Sequence, residues 1–165
     1  MARNDPELEQ FVAARFPQLR RVSYLIVRDW QRAEDIVQSA LAQAYAADPR
    51  PERQGALEAR ARRTVVNESL AWMRTPRHGA TAGVSDPHAP ADVAQLNEEL
   101  VAALAQMTPG QAAIVALRFV EDMSVAEVAE LLGISEGTVK SQSSRGLAKL
   151  RTLMQPAGAP IDRQE

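Results

Sequence analysis

The chain has 165 residues, 45% of them hydrophobic and 24% charged, which is enough apolar matter for a packed core and too much for a disordered chain. It contains no cysteine, which excludes disulfides, thiolate zinc sites and cysteine nucleophiles, and no apolar run approaches the roughly 18 residues that span a bilayer. The formal net charge of −2 excludes a uniformly basic nucleic-acid binder, but residues 136–155 carry Lys140, Arg145, Lys149 and Arg151 against Glu136 alone, so basic charge is local.

The first residues, Met1-Ala2-Arg3-Asn4-Asp5, lead into an acidic amphipathic stretch without the apolar centre of a signal peptide, and a cytoplasmic protein without membrane insertion is expected. Leu8, Phe11 and Val12 repeat at helical spacing, and Pro17 is placed as the first residue of a second helix carrying Leu19, Val22, Leu25 and Ile26. Asp29 caps a third, whose inward face is Ala33, Ile36, Val37, Ala40, Leu41, Ala44 and Tyr45. Asp48-Pro49-Arg50-Pro51 ends it, because proline lacks the amide donor and restricts the residue before it. A fourth helix is predicted over about 55–74, with Leu57, Ala61, Val65 and Trp72 inward.

Residues 75–91 interrupt the pattern with Pro76, Gly79, Gly83, Pro87 and Pro90 around one large apolar residue, Val84. Both histidines, His78 and His88, fall here ten residues apart, which is poor metal geometry, and no metal site is expected. The eight glycines form neither a P-loop nor a dinucleotide fingerprint, so neither a cofactor nor enzymatic chemistry is expected. Six of the seven aromatic residues precede this segment, which predicts separate cores for the two halves. The chain thus divides into 1–76, a linker over 77–91, a second domain over 92–155 and a frayed tail over 156–165.

Beyond the linker, Asp92 precedes a helix with Val93, Leu96, Leu100, Val101 and Leu104. Thr108-Pro109-Gly110-Gln111 reads as a capping box before Ile114, Leu117 and Val120, and Ser124-Val125-Ala126-Glu127 as a second one before a short helix through Leu132. Ser135 caps a last long helix that ends before Pro156. Ala129 is small where two helices must cross, Gly133 stands at the turn, and Val128, Leu132, Ile134 and Val139 lock the pair together. A plain helical hairpin shares the Ala-x-x-x-Gly spacing; the caps and the basic last helix favour a DNA-binding helix-turn-helix.

The start of a recognition helix enters the major groove, so Ser135, Glu136, Thr138, Lys140, Gln142, Ser143 and Arg145 are the candidate base and backbone contacts. Gln142 suits adenine, Glu136 suits a cytosine amino group, and Lys140, Arg145 and Lys149 suit phosphates. In the first half, Arg60, Arg63, Asn67 and Arg74 share one polar helix face, for which a solvated arginine face is the bland alternative, and Glu34, Asp35 and Gln38 point outward from another helix, for which a plain surface is the default.

Three stretches resemble the extracytoplasmic-function sigma factors of bacterial RNA polymerase, a group within the sigma-70 family, and in particular a SigE-like branch common in actinobacteria. Ala33-Glu34-Asp35-Ile36-Val37-Gln38 with Ala40-Leu41 resembles region 2.2. Arg62-Arg63-Thr64-Val65-Val66-Asn67 with Leu70 and Trp72 resembles regions 2.3 and 2.4, and Gly137-Thr138-Val139-Lys140-Ser141-Gln142 with Arg145-Gly146-Leu147 resembles region 4.2. The resemblance implies an all-α fold of two small helical domains, core RNA polymerase and promoter DNA as partners, and an anti-sigma factor as a third. It implies that Glu34, Asp35 and Gln38 dock on the β′ coiled coil, that Arg53, Arg60, Arg63, Asn67 and Arg74 serve the minus-10 element, and that the last helix reads the minus-35 element while its domain meets the β flap. Residues 48–60 depart from the family in lacking aromatics, which shifts minus-10 capture toward arginine and backbone contacts. The rival readings are a stand-alone regulator with a LuxR-like helix-turn-helix and a pure interaction adaptor.

Overall fold

The computed structural model describes residues 6–47, 54–76 and 89–154, and among these every regular element is a helix. They are α1 (Pro6–Val27), α2 (Trp30–Ala47), α3 (Gln54–Met73), α4 (Ala91–Ala94), α5 (Glu98–Ala105), α6 (Pro109–Val115) with a π-helical turn over Ala116–Val120, α7 (Val125–Leu132) and α8 (Glu136–Met154).

The expected break at Pro17 is corrected: α1 runs straight through it. An internal proline removes one backbone hydrogen bond and costs about 3 kcal/mol. Phe11, Leu19, Val22, Leu25 and Ile26 are all buried on the same helix, and at about 1.5–3 kcal/mol for each buried side chain the packing outweighs the loss. Arg28 then takes φ 59° and reverses the chain, and the Asp29 carboxylate accepts hydrogen bonds from the backbone N–H of Gln31 and Arg32, capping α2 as its sequence predicts. The buried face of α2 is Ala33, Ile36, Val37, Ala40, Leu41 and Ala44, with Tyr45 half-buried beside it. α3 closes a three-helix arrangement through Leu57, Ala61, Val65 and Val66. The Ser69 hydroxyl donates to Val65 O at 2.7 Å, which leaves the buried Ser23 hydroxyl to donate to Ser69 Oγ at 2.8 Å.

Two further expectations change in the second half. The helix predicted after Asp92 is two helices, because Asn97 at the break caps α5, its side chain accepting from the N–H groups of Glu99 and Leu100. The Thr108 box is only half made: Thr108 Oγ1 accepts from Gln111 N, but the Gln111 side chain reaches away to Gln142. The Ser124 box forms in full with Glu127.

The expectation of separate cores is also corrected. One buried cluster holds Leu19, Val22, Ile26, Val37 and Val65 together with Ile114, Leu117, Met123, Val128 and Val139 from the second half. A second cluster sets Leu25 of α1 among Leu104, Met107, Ala112, Val115 and Ala116. The reason is that the C-terminal half of α1 is covered on every side, none of residues 17–27 being exposed, so it serves two sets of helices at once. The linker core, the two histidines and the C-terminal tail lie outside the described residues, as does Arg53.

Candidate nucleic-acid interface

α7 and α8 form the helix-turn-helix. Gly133 ends α7 with φ 67°, a conformation cheap only for glycine, and Val128 and Val139 are fully buried between the two helices. Ser135 Oγ accepts from Thr138 N at 3.1 Å and so caps α8. One face of α8 meets the core through Val139, Ser143 and Gly146, at steps of four and three. Gly146 permits the close approach to α6, since a Cβ there would overlap Val115 Cγ2.

That register sorts the candidate contacts. Ser135, Glu136, Thr138, Lys140, Arg145 and Lys149 are exposed. Ser143 is not: it is 6% exposed, with an enclosed Oγ that finds no partner among the described residues, so it is removed from the list of base contacts. Gln142 is half-buried, and its Oε1 accepts from Gln111 Nε2 at 3.2 Å, which ties its side chain to α6. Lys149 Nζ donates to Gln106 O at the end of α5, leaving two of its three donors for other partners. Sequence reasoning missed Ser141 and Ser144, both exposed beside Lys140 and Arg145. The signal was available: counting helical steps from the buried Val139 places Ser143 inward and its neighbours outward.

On α3, Arg60, Arg63 and Asn67 are exposed, with Arg74 exposed just beyond the helix. The alternate side of α3 is occupied otherwise, with Arg62 donating to Glu58 at 3.2 Å and Arg15 on the other oxygen of the same carboxylate at 3.4 Å. No ion pair among the described residues engages Arg60, Arg63 or Arg74. Arg32 of α2 stacks over the Trp72 ring at 3.8 Å and ties α2 to the end of α3. On α2, Asp35 and Gln38 are exposed, whereas Glu34 is half-buried and accepts from Arg20 Nη1 at 3.0 Å, so that α1 orients it. The described residues contain no group of three metal-ligating side chains, and none of their helices is long and apolar enough to cross a membrane.

Comparison with known proteins agrees with this geometry. Residues 97–150 match the family model for sigma-70 region 4. The chain is 34% identical over 149 residues to the RNA polymerase sigma-E factor of Streptomyces coelicolor, covering 88% of this chain and 84% of that protein. It is 31% identical over 140 residues to the ECF RNA polymerase sigma factor SigM of Mycobacterium tuberculosis, covering 83% of this chain and 71% of that one. In three dimensions it is similar to the sigma factor RpoE solved in complex with the anti-sigma factor NepR from Bartonella quintana, with a TM-score of 0.66 over 96% of this chain and 100% of that chain, at 22% identity; this is a likeness of fold.

Proposed function

The chain belongs to the extracytoplasmic-function RNA polymerase sigma factors, and on that premise we propose that it binds core RNA polymerase in the cytoplasm and directs initiation at promoters with matching minus-35 and minus-10 elements. Two exposed nucleic-acid faces on one chain carry this reading: the solvent side of α8 and the Arg60, Arg63, Asn67 side of α3. In the minus-35 complex the first turns of α8 lie in the major groove, with Glu136, Thr138 and Lys140 toward base edges and Arg145 and Lys149 toward phosphates. The α3 arginines offer the positive surface that a separated strand needs. Asp35 and Gln38 on α2, with Glu34 held by Arg20, form the polymerase-docking face. The chain supplies recognition and the polymerase makes the bonds.

A stand-alone LuxR-like regulator accounts for α7 and α8 alone, whereas the likeness to sigma factors extends over both halves. An anti-sigma factor is a fitting regulator, since the neighbour in three dimensions was solved with one. Run-off transcription by core polymerase reconstituted with this protein, on promoters selected from a random library, tests the reading. A discrete enriched pair of elements is expected; the same transcripts with and without the protein would overturn it.

A further inference from the structure

The carboxylate of Glu121 joins the two sets of helices. Its side chain is fully enclosed, at 0% exposure, and among the described residues its side-chain donors all belong to α1. Gln18 Nε2 donates to Oε2 at 2.7 Å, and Arg21 donates to Oε1 from Nε at 3.0 Å and from Nη2 at 2.8 Å. The backbone that presents Glu121 is irregular on both sides. The π-helical turn over Ala116–Val120 precedes it, Asp122 follows at φ 57°, and Arg118 Nη1 donates to Met123 O at 2.6 Å across the segment. Turns of this kind and non-glycine residues at positive φ concentrate where a side chain has to be aimed.

Dimensions show why this contact matters. By their names the two promoter elements lie about 25 base pairs apart, which is about 85 Å of duplex at 3.4 Å per base pair. A compact body of 165 residues has a radius of gyration of about 15 Å and so a diameter of about 40 Å. With both halves in one core, the protein is too short to read both elements. Reading both therefore requires the two halves to part.

We infer that Glu121, held by Gln18 and Arg21, is the latch of a closed resting state, and that this latch must release before the chain can read both promoter elements; the inference rests on the sigma factor reading above. A buried ion pair suits the task. It adds little net stability over apolar residues of the same volume, yet removing one partner is strongly unfavourable because a charge is left stranded. Arg21 is itself 32% exposed, so solvent already reaches one side of the pair. On opening, both groups regain water.

The absence of native cysteine allows a clean test with spin labels at cysteines introduced for the exposed Ala42 of α2 and Ala126 of α7. The labelled full chain should give one short distance distribution. Arg21→Glu and Glu121→Arg should each move the closed-to-open ratio by at least about tenfold toward open. The reciprocal double variant, R21E with E121R, should restore the closed distribution, which a merely unfolded second half would not do. With core polymerase and a selected promoter, Arg21→Glu should reach half-maximal initiation at about tenfold lower protein concentration, and the reciprocal variant at the wild-type value. Unchanged distances in both single variants, or an open wild-type distribution, would overturn the latch. Shifted distances with unchanged or weaker initiation would overturn its role as a restraint. No transcript with any of the proteins would overturn the sigma factor reading, and the inference with it, while the distances would still report the contact itself.

Discussion

Replacing Ser143 by alanine should make the protein more stable and leave its promoter choice intact. The hydroxyl is buried and has no partner among the described residues, so folding strips it of water without return. Such a group costs about 1–3 kcal/mol. Alanine also has the better intrinsic preference for a helix interior, by a few tenths of a kcal/mol. Against this stands the small void left by one oxygen, about 0.4 kcal/mol for a volume of about 15 Å³. The balance is a gain of about 1–2 kcal/mol, which for a chain of this length raises Tm by about 2–4 °C for each kcal/mol. Thermal and urea melts of Ser143→Ala would measure it, with promoter competition by the reconstituted holoenzyme in parallel. A lower Tm, or a changed preference at any base pair, would refute the assignment of Ser143 to the core face of α8.

Gly146→Ala should destabilise by about 1–3 kcal/mol, since the new methyl overlaps Val115; an unchanged urea midpoint would sink the close α6–α8 approach. Lys140→Ala should lower the slope of log affinity against log salt by about 1 if the side chain meets a phosphate, and relax one base pair if it meets a base, whereas Gln142→Ala should do neither because α6 holds Gln142. Arg60→Ala with Arg63→Ala should reduce permanganate reactivity at the start site more than closed-complex formation, and equal footprints would return α3 to an ordinary solvated face. The Glu127 carboxyl is held below the ordinary range, chiefly by the hydrogen bond it accepts from the Ser124 backbone N–H. A lowered folded-state value means that the contribution of Glu127 is present above the ordinary glutamate range and fades as pH falls through the lowered value. Glu127→Gln should therefore flatten the acid-side loss of helicity, and superimposable acid titrations of the two proteins would contradict this.

Much of the local structure was legible in the sequence because its signals act over a few residues. Asp29, Ser124 and Ser135 are caps whose side chains reach N–H groups two or three positions on, and Gly133 is a turn whose conformation is set by its own missing Cβ. The helix-turn-helix follows from these and from one buried valine on each of its helices. Where a local signal competed with packing, packing prevailed. Pro17 announces a helix start, yet the stripe from Phe11 to Ile26 carries α1 past it. Gln111 has the residue type of a capping box, yet Gln142 on α8 takes its side chain.

What only the tertiary structure decided are the relations between residues far apart in the chain. Nothing near Leu25 says that it packs among Leu104 and Val115 rather than with Ile26, its own neighbour, because a helix covered on every side leaves the choice of partner to the whole fold. Ser143 looked like a polar contact because serine is usually outside; the register of Val139 and Gly146 against α6 turns it inward. Glu121 carried no motif at all. Its importance comes from an irregular turn that aims one carboxylate at two donors 100 and 103 residues earlier, and a contact of that separation is written in no local pattern.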